Sequence, residues 1–327
     1  MNKKSILIIG TGGTIAGEGK EGVTGDYKSA QVKISNLVEK IPYIKSLANI
    51  KCIDMFETDS CDLKMDDLKY LSQQINEIAQ EENFDGFVIT HGTDTLEETA
   101  YFLNLTLNTK KPVVLTGSMR PGTAVSADGP LNLYQAVALA ANDESYGKGV
   151  LVTLSDGIYG ARDVSKINTF RTQAFSQKDI GCLGYMHYEK PFFYNQSTKK
   201  HTYQTQFDIS LISKIPKVEI VYFYIGADES ILDVVSENSD GIVIAGAGCA
   251  GVSAEFTEKI NKLMKKGFPV VRSSRIGNGL VSSGTEKVDE NGIYSDNLNP
   301  QKARILLSLA LTITSDPIKI QKMFNIY

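Results

Sequence analysis

Four short apolar runs in this 327-residue chain end in loops dense with hydroxyl, carboxylate and amine side chains. TGGT (11–14) follows SILIIG, and HGTDT (91–95) follows GFVIT. SMRP (118–121) follows PVVLTG, and SDGIYGARDVSK (155–166) follows GVLVTL. The chemistry such a set supports is nucleophilic attack by a threonine. A threonine hydroxyl is a weak nucleophile near neutral pH. It needs a base or proton relay, and donors that hold the developing oxyanion. The turn IIGTGGTIAG (8–17) offers backbone N–H groups for the oxyanion, and Thr11 or Thr14 for the attack. Thr93, Asp94 and Lys166 add a second hydroxyl, a carboxylate and an amine on neighbouring loops. A lysine partly desolvated there would have a lowered pKa and serve as a base. The polar stretch 18–29 holds one tyrosine, Tyr27, which would close over the site, bring a phenol beside Thr14 and exclude water.

Other readings of the same residues compete. Gly10-x-Gly12 opens a dinucleotide fingerprint, but the third glycine position falls on Ile15 and no helix follows directly. No Gly-x-x-x-x-Gly-Lys-Ser/Thr phosphate loop matches either, so no cofactor is expected. Taken singly, Gly12 to Thr14 is a tight turn with a hydroxyl cap. Thr93 and Asp94, in TDTLEE, are good helix-capping chemistry. Lys166 alone is a solvated lysine, Tyr27 a loop aromatic, and His91 a hydrogen-bonded buried residue rather than a base. Their joint placement at one edge of one sheet favours the chemical reading, because ligands of open parallel sheets bind beyond the carboxyl ends of the strands.

The elements that must position these residues follow from hydrophobic pattern. SILIIG (5–10), GFVIT (86–90), PVVLTG (112–117) and GVLVTL (149–154) read as strands buried on both faces. Between them lie amphipathic helices. One spans 64–80, with Leu68, Leu71, Ile75 and Ile78 on one face. Another spans 130–142, with Leu131, Tyr134, Val137, Ala138 and Ala141 inward. Such alternation predicts a parallel sheet covered on both sides. The rhythm lapses in the polar, aromatic segment 187–214, and a linker is placed at 192–213. It resumes with strands at 217–225, 241–248 and 268–274 and a helix at 253–266 capped by Gly267. Two last helices start at Asn299-Pro300 and Asp316-Pro317. The predicted organisation is a catalytic α/β domain at 1–191, the linker, and a smaller α/β domain at 214–327.

Bulk properties narrow the function. A hydrophobic content of 42%, a charged content of 22% and a formal net charge of −4 describe a globular chain with no footprint for nucleic acid or an anionic membrane. No apolar run approaches membrane-spanning length. Lys3 and Lys4 before SILIIG mimic the start of a signal peptide, but the run is short and ends in glycines, so it reads as a first strand and a cytoplasmic protein is expected. Cys52, Cys61, Cys182 and Cys249 show no disulfide framework. They and the three histidines show no metal spacing.

TGGTIAG (11–17), VITHGTDTLEETAYFL (88–103), GSMRP (117–121), SADGPLNLYQAV (126–137), VVRSSR (270–275) and LNPQKARILLSLAL (298–311) together resemble the bacterial-type L-asparaginases, over essentially the whole chain. The resemblance implies a larger flavodoxin-like N-terminal domain with a mainly parallel sheet and a smaller α/β C-terminal domain. It implies hydrolysis of L-asparagine to L-aspartate and ammonia, with weaker glutaminase activity and no metal or cofactor. Thr14 matches the nucleophile that forms an acyl-enzyme, and Tyr27 the lid tyrosine that assists it. Thr93, Asp94 and Lys166 match a second triad with the lysine as base. Gly13, Ser60, Cys61, Thr93, Asp94 and Ser118 fall around the substrate: Asp94 would pair with its α-ammonium, Ser60 with its α-carboxylate, and Ser118 would lie near the amide. Glu286 matches an acidic residue lent by a neighbouring subunit. A homotetramer built as a dimer of dimers, with shared active sites, is therefore implied. The chain departs from the family at Cys61, where many relatives carry a glutamine or another polar side chain. It departs again at GAGCAG (246–251), where Cys249 and Gly251 stand in place of amides.

Overall fold

A computed structural model describes residues 3–19, 27–28, 31–81, 83–177, 179–282 and 292–327. The chain divides into two compact units, Met1–Ile209 and Ser210–Tyr327.

Five parallel strands form the centre of the first unit: β1 (Ser5–Gly12), β2 (Asn49–Thr58), β3 (Gly86–Thr90), β4 (Val113–Thr116) and β5 (Val150–Leu154). They lie in the order β2-β1-β3-β4-β5, the flavodoxin-like order. Three antiparallel strands extend the β5 edge: β6 (Gly157–Gly160), β7 (Gly184–His187) and β8 (Lys190–Phe193). Among the described residues this sheet therefore has eight strands, five of them parallel.

β1, β3, β4 and β5 are buried on both faces, as their unbroken apolar runs require. Ile6, Ile8, Val88, Val114 and Leu151 face one side and join Leu133, Ala136, Val137 and Ala140 of helix α5 (Gly129–Ala140) in one core cluster. By the two-residue period of a strand, Leu7, Ile9, Phe87 and Ile89 point to the other side. Helix α4 (Leu96–Thr106) packs against β5. Helices α1 (Ile34–Glu39) and α2 (Ile44–Leu47) lead into β2, and α3 (Met65–Gln80) follows it. In α3, Leu68, Leu71 and Ile75 are buried, and Asp67 Oδ2 accepts from Lys64 N at 2.8 Å to secure the first turn.

The structure corrects the phase of α5. Its inward stripe runs through Leu133, Ala136, Val137 and Ala140, so Leu131 is 53% exposed rather than buried. Two further features escaped the sequence pattern: strand β2 and the antiparallel edge formed by β6 to β8.

Among its described residues the second unit holds a four-stranded parallel sheet of β9 (Val218–Tyr222), β10 (Gly241–Gly246), β11 (Val270–Ser274) and β12 (Ile293–Tyr294), in that order. After helix α6 (Ile231–Glu237), α7 (Ala254–Lys265) buries Phe256, Ile260 and Leu263 and ends before Gly267, whose φ is 79°. Asn299 caps α8 (Pro300–Ala310) through a bond from Lys302 N, and Asp316 caps α9 (Pro317–Ile326) through bonds from Ile318 and Lys319 N. Among the described residues no helix is long and apolar enough to cross a membrane.

The two leucines of α5 test this packing. Leu133→Ala should lower unfolding free energy by about 2–5 kcal/mol, and Leu131→Ala by less than about 0.5 kcal/mol, in urea titrations followed by circular dichroism. Equal losses would contradict the observed phase of the helix.

Candidate active site

The order of the parallel strands reverses at β1, which pairs with β2 on one side and β3 on the other. That switch point opens a crevice beyond the strand ends, and the loops after β1 and β3 flank it. β1 and β3 stay in register to Gly10 opposite Thr90. Beyond that pair the two backbones come into direct contact. Gly13 has φ 78°, and a Cβ there would overlap the N and Cα of Gly92. A Cβ on Gly92 would lie 2.7 Å from both Cβ and Oγ of Ser60. A Cβ on Gly117 would lie 2.5 Å from His91 O and 3.2 Å from Thr93 Cγ2. Three successive strand ends are thus packed backbone to backbone, and only glycine fits at each crossing.

This packing separates the two candidate nucleophiles. Thr11 is 1% exposed, and its Oγ1 donates to Thr90 O at 2.9 Å, which ties β1 to β3. Thr14 comes three residues later, half-buried, at the head of the short helical turn Thr14–Ala16. The turn closes on itself: Ala16 N donates to Gly13 O at 3.2 Å and Gly17 N to Thr14 O at 2.8 Å. Gly13 N donates to Thr58 O at 3.2 Å, so this one N–H of the turn anchors it to β2.

After β3, Thr93 and Asp94 converge on Lys166. Lys166 Nζ donates to Thr93 Oγ1 at 2.9 Å and to Asp94 Oδ1 at 2.6 Å, although these residues lie more than seventy positions apart. A two-residue antiparallel ladder, Ser165–Lys166 against Phe175–Ser176, holds the lysine backbone, and Lys166 N donates to Glu97 Oε2 at 2.9 Å. Thr93 is buried, whereas the Asp94 side chain is 63% exposed. The N-cap of α4 is Thr95, with no side-chain capping bond, so Thr93 and Asp94 are not spent on capping. Thr95 Oγ1 donates to Ser60 O at 2.8 Å, and Asp59 Oδ1 accepts from Cys61 N at 3.0 Å. The first bond draws the turn after β2 against the β3 loop, and the second closes that turn on itself. Cys61 Sγ lies 4.0 Å from Asp94 Oδ2. Burial, with the charge of Asp59 and then of Asp94, pushes the Cys61 thiol up, so it faces Asp94 as a neutral group.

His91 is fully buried. Its Nδ1 donates to Gly92 O at 2.8 Å, and its Nε2 accepts from Thr99 Oγ1 at 2.9 Å. Burial pushes its pKa down to about 4, which makes it a neutral brace. Ser118 is also buried, and its Oγ donates to Arg120 O at 2.8 Å. It lines, with Ile15, Gly17 and Leu133, a cavity of about 100 Å³ behind the Thr14 turn. Of Tyr27 the backbone is described, paired with Gly19 in a short ladder. Glu286 lies outside the described residues. Cys249 and Gly251 sit in a tight turn in the second unit, where Ala247 N donates to Gly251 O at 2.8 Å. Among the described residues no group of three or more His, Cys, Asp or Glu could hold a metal ion.

Sequence reasoning missed the residues that brace these loops. Asp128 accepts from Met119 N and Arg120 N, both at 3.0 Å. Asn132 donates to Gly117 O at 3.0 Å and accepts from Ser155 N at 3.0 Å, joining the loops after β4 and β5. Both lie in SADGPLN, where Asp128, Gly129 and Pro130 read only as the entry to a helix. An asparagine using its amide at both ends leaves no trace in spacing or periodicity.

The chain matches the family models "Asparaginase, N-terminal" over residues 5–199 and "Glutaminase/Asparaginase C-terminal domain" over residues 217–324. It is 45% identical to the probable periplasmic L-asparaginase of Haemophilus influenzae, over 98% of this chain and 92% of that protein. It is 42% identical to the glutaminase-asparaginase of Acinetobacter glutaminasificans, over 98% and 99%. The crystal structure of a probable cytoplasmic L-asparaginase from Campylobacter jejuni superposes with a TM-score of 0.95 at 44% identity, covering 99% of this chain and 100% of that one.

The neutral burial of His91 has a consequence for acid stability. Between about pH 6.5 and about pH 4 the unfolded chain binds a proton at this residue that the folded chain refuses. Its contribution is therefore fully present above pH 6.5 and is lost as pH falls through that window, amounting to roughly 3 kcal/mol. His91→Gln should flatten this part of the stability–pH curve in urea titrations from pH 7 to pH 4. An unchanged slope would contradict the assignment.

Proposed function

The chain belongs to the asparaginase family, and from that premise we propose that it hydrolyses L-asparagine to L-aspartate and ammonia with Thr14 as nucleophile. The observation that carries this reading is the Gly13–Gly92 contact. Thr14 and Thr93 each follow one of these touching glycines in sequence, which supports pairing them in one site.

In this mechanism Thr14 Oγ1 attacks the side-chain carboxamide carbon. The tetrahedral intermediate collapses, the C–N bond breaks, and ammonia leaves carrying the proton that the Thr14 hydroxyl gave up on attack. Water then attacks the resulting ester, freeing aspartate and regenerating the threonine. Thr93 Oγ1, hydrogen-bonded to Lys166, holds the amide or orients that water, with the lysine as base of the second triad. Tyr27 assists Thr14. Asp94 Oδ1 is engaged by Lys166, and Oδ2 takes the substrate α-ammonium. Ser60 takes the α-carboxylate, beside Gly13 and Cys61, with Ser118 supporting the amide end through the Thr14 turn.

Glutamine differs by one methylene, which a pocket discriminates by only about 1–3 kcal/mol, so glutaminase activity is the weaker second activity. The relatives include both an L-asparaginase and a glutaminase-asparaginase, which supports this pairing. Glu286 from a second copy completes each site in a tetramer of paired dimers. Full activity in a chain that sediments as a monomer would remove that part of the reading. We place the enzyme in the cytoplasm, in keeping with the Campylobacter jejuni protein. Recovery of its activity from a periplasmic extract would move it.

Thr14→Ala, Thr93→Val and Lys166→Met should each cut ammonia release from asparagine by about a thousandfold or more, with circular dichroism unchanged. Wild-type kcat/KM should favour asparagine over glutamine by at least about tenfold. Near-normal turnover in Thr14→Ala would overturn the nucleophile, and equal kcat/KM on both amides would overturn the preference.

A further inference from the structure

One five-residue segment holds Lys166 at both ends. Thr93 and Asp94 meet its Nζ at 2.9 and 2.6 Å, while Glu97 Oε2 accepts from its backbone N at 2.9 Å. The four methylenes between these anchors have many rotamers, so the position of Nζ depends on where the backbone at 166 is fixed. The ladder that pairs the backbone here is two residues long, and Ile167 N donates to Ala174 O at 2.7 Å beside it.

Glu97 is only 5% exposed. A carboxylate in the first turn of a helix favours the helix dipole, but it does so from solvent as well. Glu98, next to it in the same first turn, is less buried. Burying the Glu97 side chain costs desolvation, and a contribution to the dipole does not require it. Its burial also gives the lysine backbone a fixed acceptor.

We propose that Glu97 is a positioning residue for Lys166: by anchoring the backbone at 166 it keeps Nζ within hydrogen-bond distance of Thr93 Oγ1. This inference rests on the reading of Lys166 as the base of the second triad. It predicts an effect on kcat rather than on substrate affinity, because Glu97 acts through the lysine.

Steady-state ammonia release from asparagine tests it in the full-length protein. Glu97→Ala should lower kcat by about 10- to 100-fold while KM changes less than about twofold. Glu97→Gln, whose amide oxygen still accepts from Lys166 N, should recover kcat to within about threefold of wild type. Glu98→Ala should leave kcat unchanged. Adding Glu97→Ala to Lys166→Met should cause no further loss, since both act through one amine. If Glu97→Ala does not fold, Glu97→Asp takes its place, with kcat reduced and KM preserved. Wild-type kcat in folded Glu97→Ala or Glu97→Asp, beside an inactive Lys166→Met, would overturn the positioning role and leave the lysine reading intact. Full activity in Lys166→Met would instead overturn the lysine reading itself.

Discussion

Two glycines meet where the strand order of the larger sheet reverses, and the site around them depends on neither having a side chain. Gly13 follows β1 with φ 78°, and its Cα lies against the backbone of Gly92, just beyond β3. Gly92 in turn leaves room for Ser60, and Gly117 for His91 and Thr93. A methyl at any of these crossings would force strand ends apart by more than a packed interior tolerates. Because the strands are fully buried and in register up to Gly10 and Thr90, the sheet cannot yield instead. The loops therefore inherit the rigidity of the core, which is what preorganised chemistry needs.

Around that contact, polar groups are spent in two different ways. Thr11, His91, Thr95, Asp128 and Asn132 bond to backbone carbonyls or amides and fix the loops. Thr93, Asp94 and Lys166 bond to one another. The Lys166–Asp94 pair contributes little to folding, since with Asp94 63% exposed such a pair is worth about 0–1 kcal/mol. Its geometry makes sense as chemistry instead: an amine is held against a buried hydroxyl, with one carboxylate oxygen left toward the neutral Cys61 thiol and the crevice.

How much of this was legible in the sequence depended on whether burial was two-sided. β1, β3, β4 and β5 are apolar throughout and announce themselves. β2 is an edge strand with Lys51, Asp54 and Glu57 among its residues and no fully buried position, so its pattern is blurred. The β7–β8 hairpin leaves Tyr185 and Phe192 exposed, which made it resemble irregular chain. Helix α5 is buried nearly all round, so no polar face fixed its phase and Leu131 was placed inward. The candidate site was legible through one rule, that strand ends carry the chemistry, which drew Thr14, Thr93, Asp94 and Lys166 together. Residue types alone left Thr11 and Thr14 open and the resemblance favoured Thr14; the bond from Thr11 to Thr90 O gives a physical reason, and the ladder with Phe175 shows the grip on Lys166. Neither has a local signal, because each joins residues far apart in the chain.

The central claim is that the Thr14 oxygen, and not its neighbour at Thr93, carries the acyl group. Rapid acid quenching during turnover of asparagine, followed by peptide mapping by mass spectrometry, reads this directly. An aspartyl ester on the peptide containing Thr14, formed and lost at rates compatible with turnover, is the predicted result. The same adduct on the peptide containing Thr93, with Thr14 unmodified, would contradict the account.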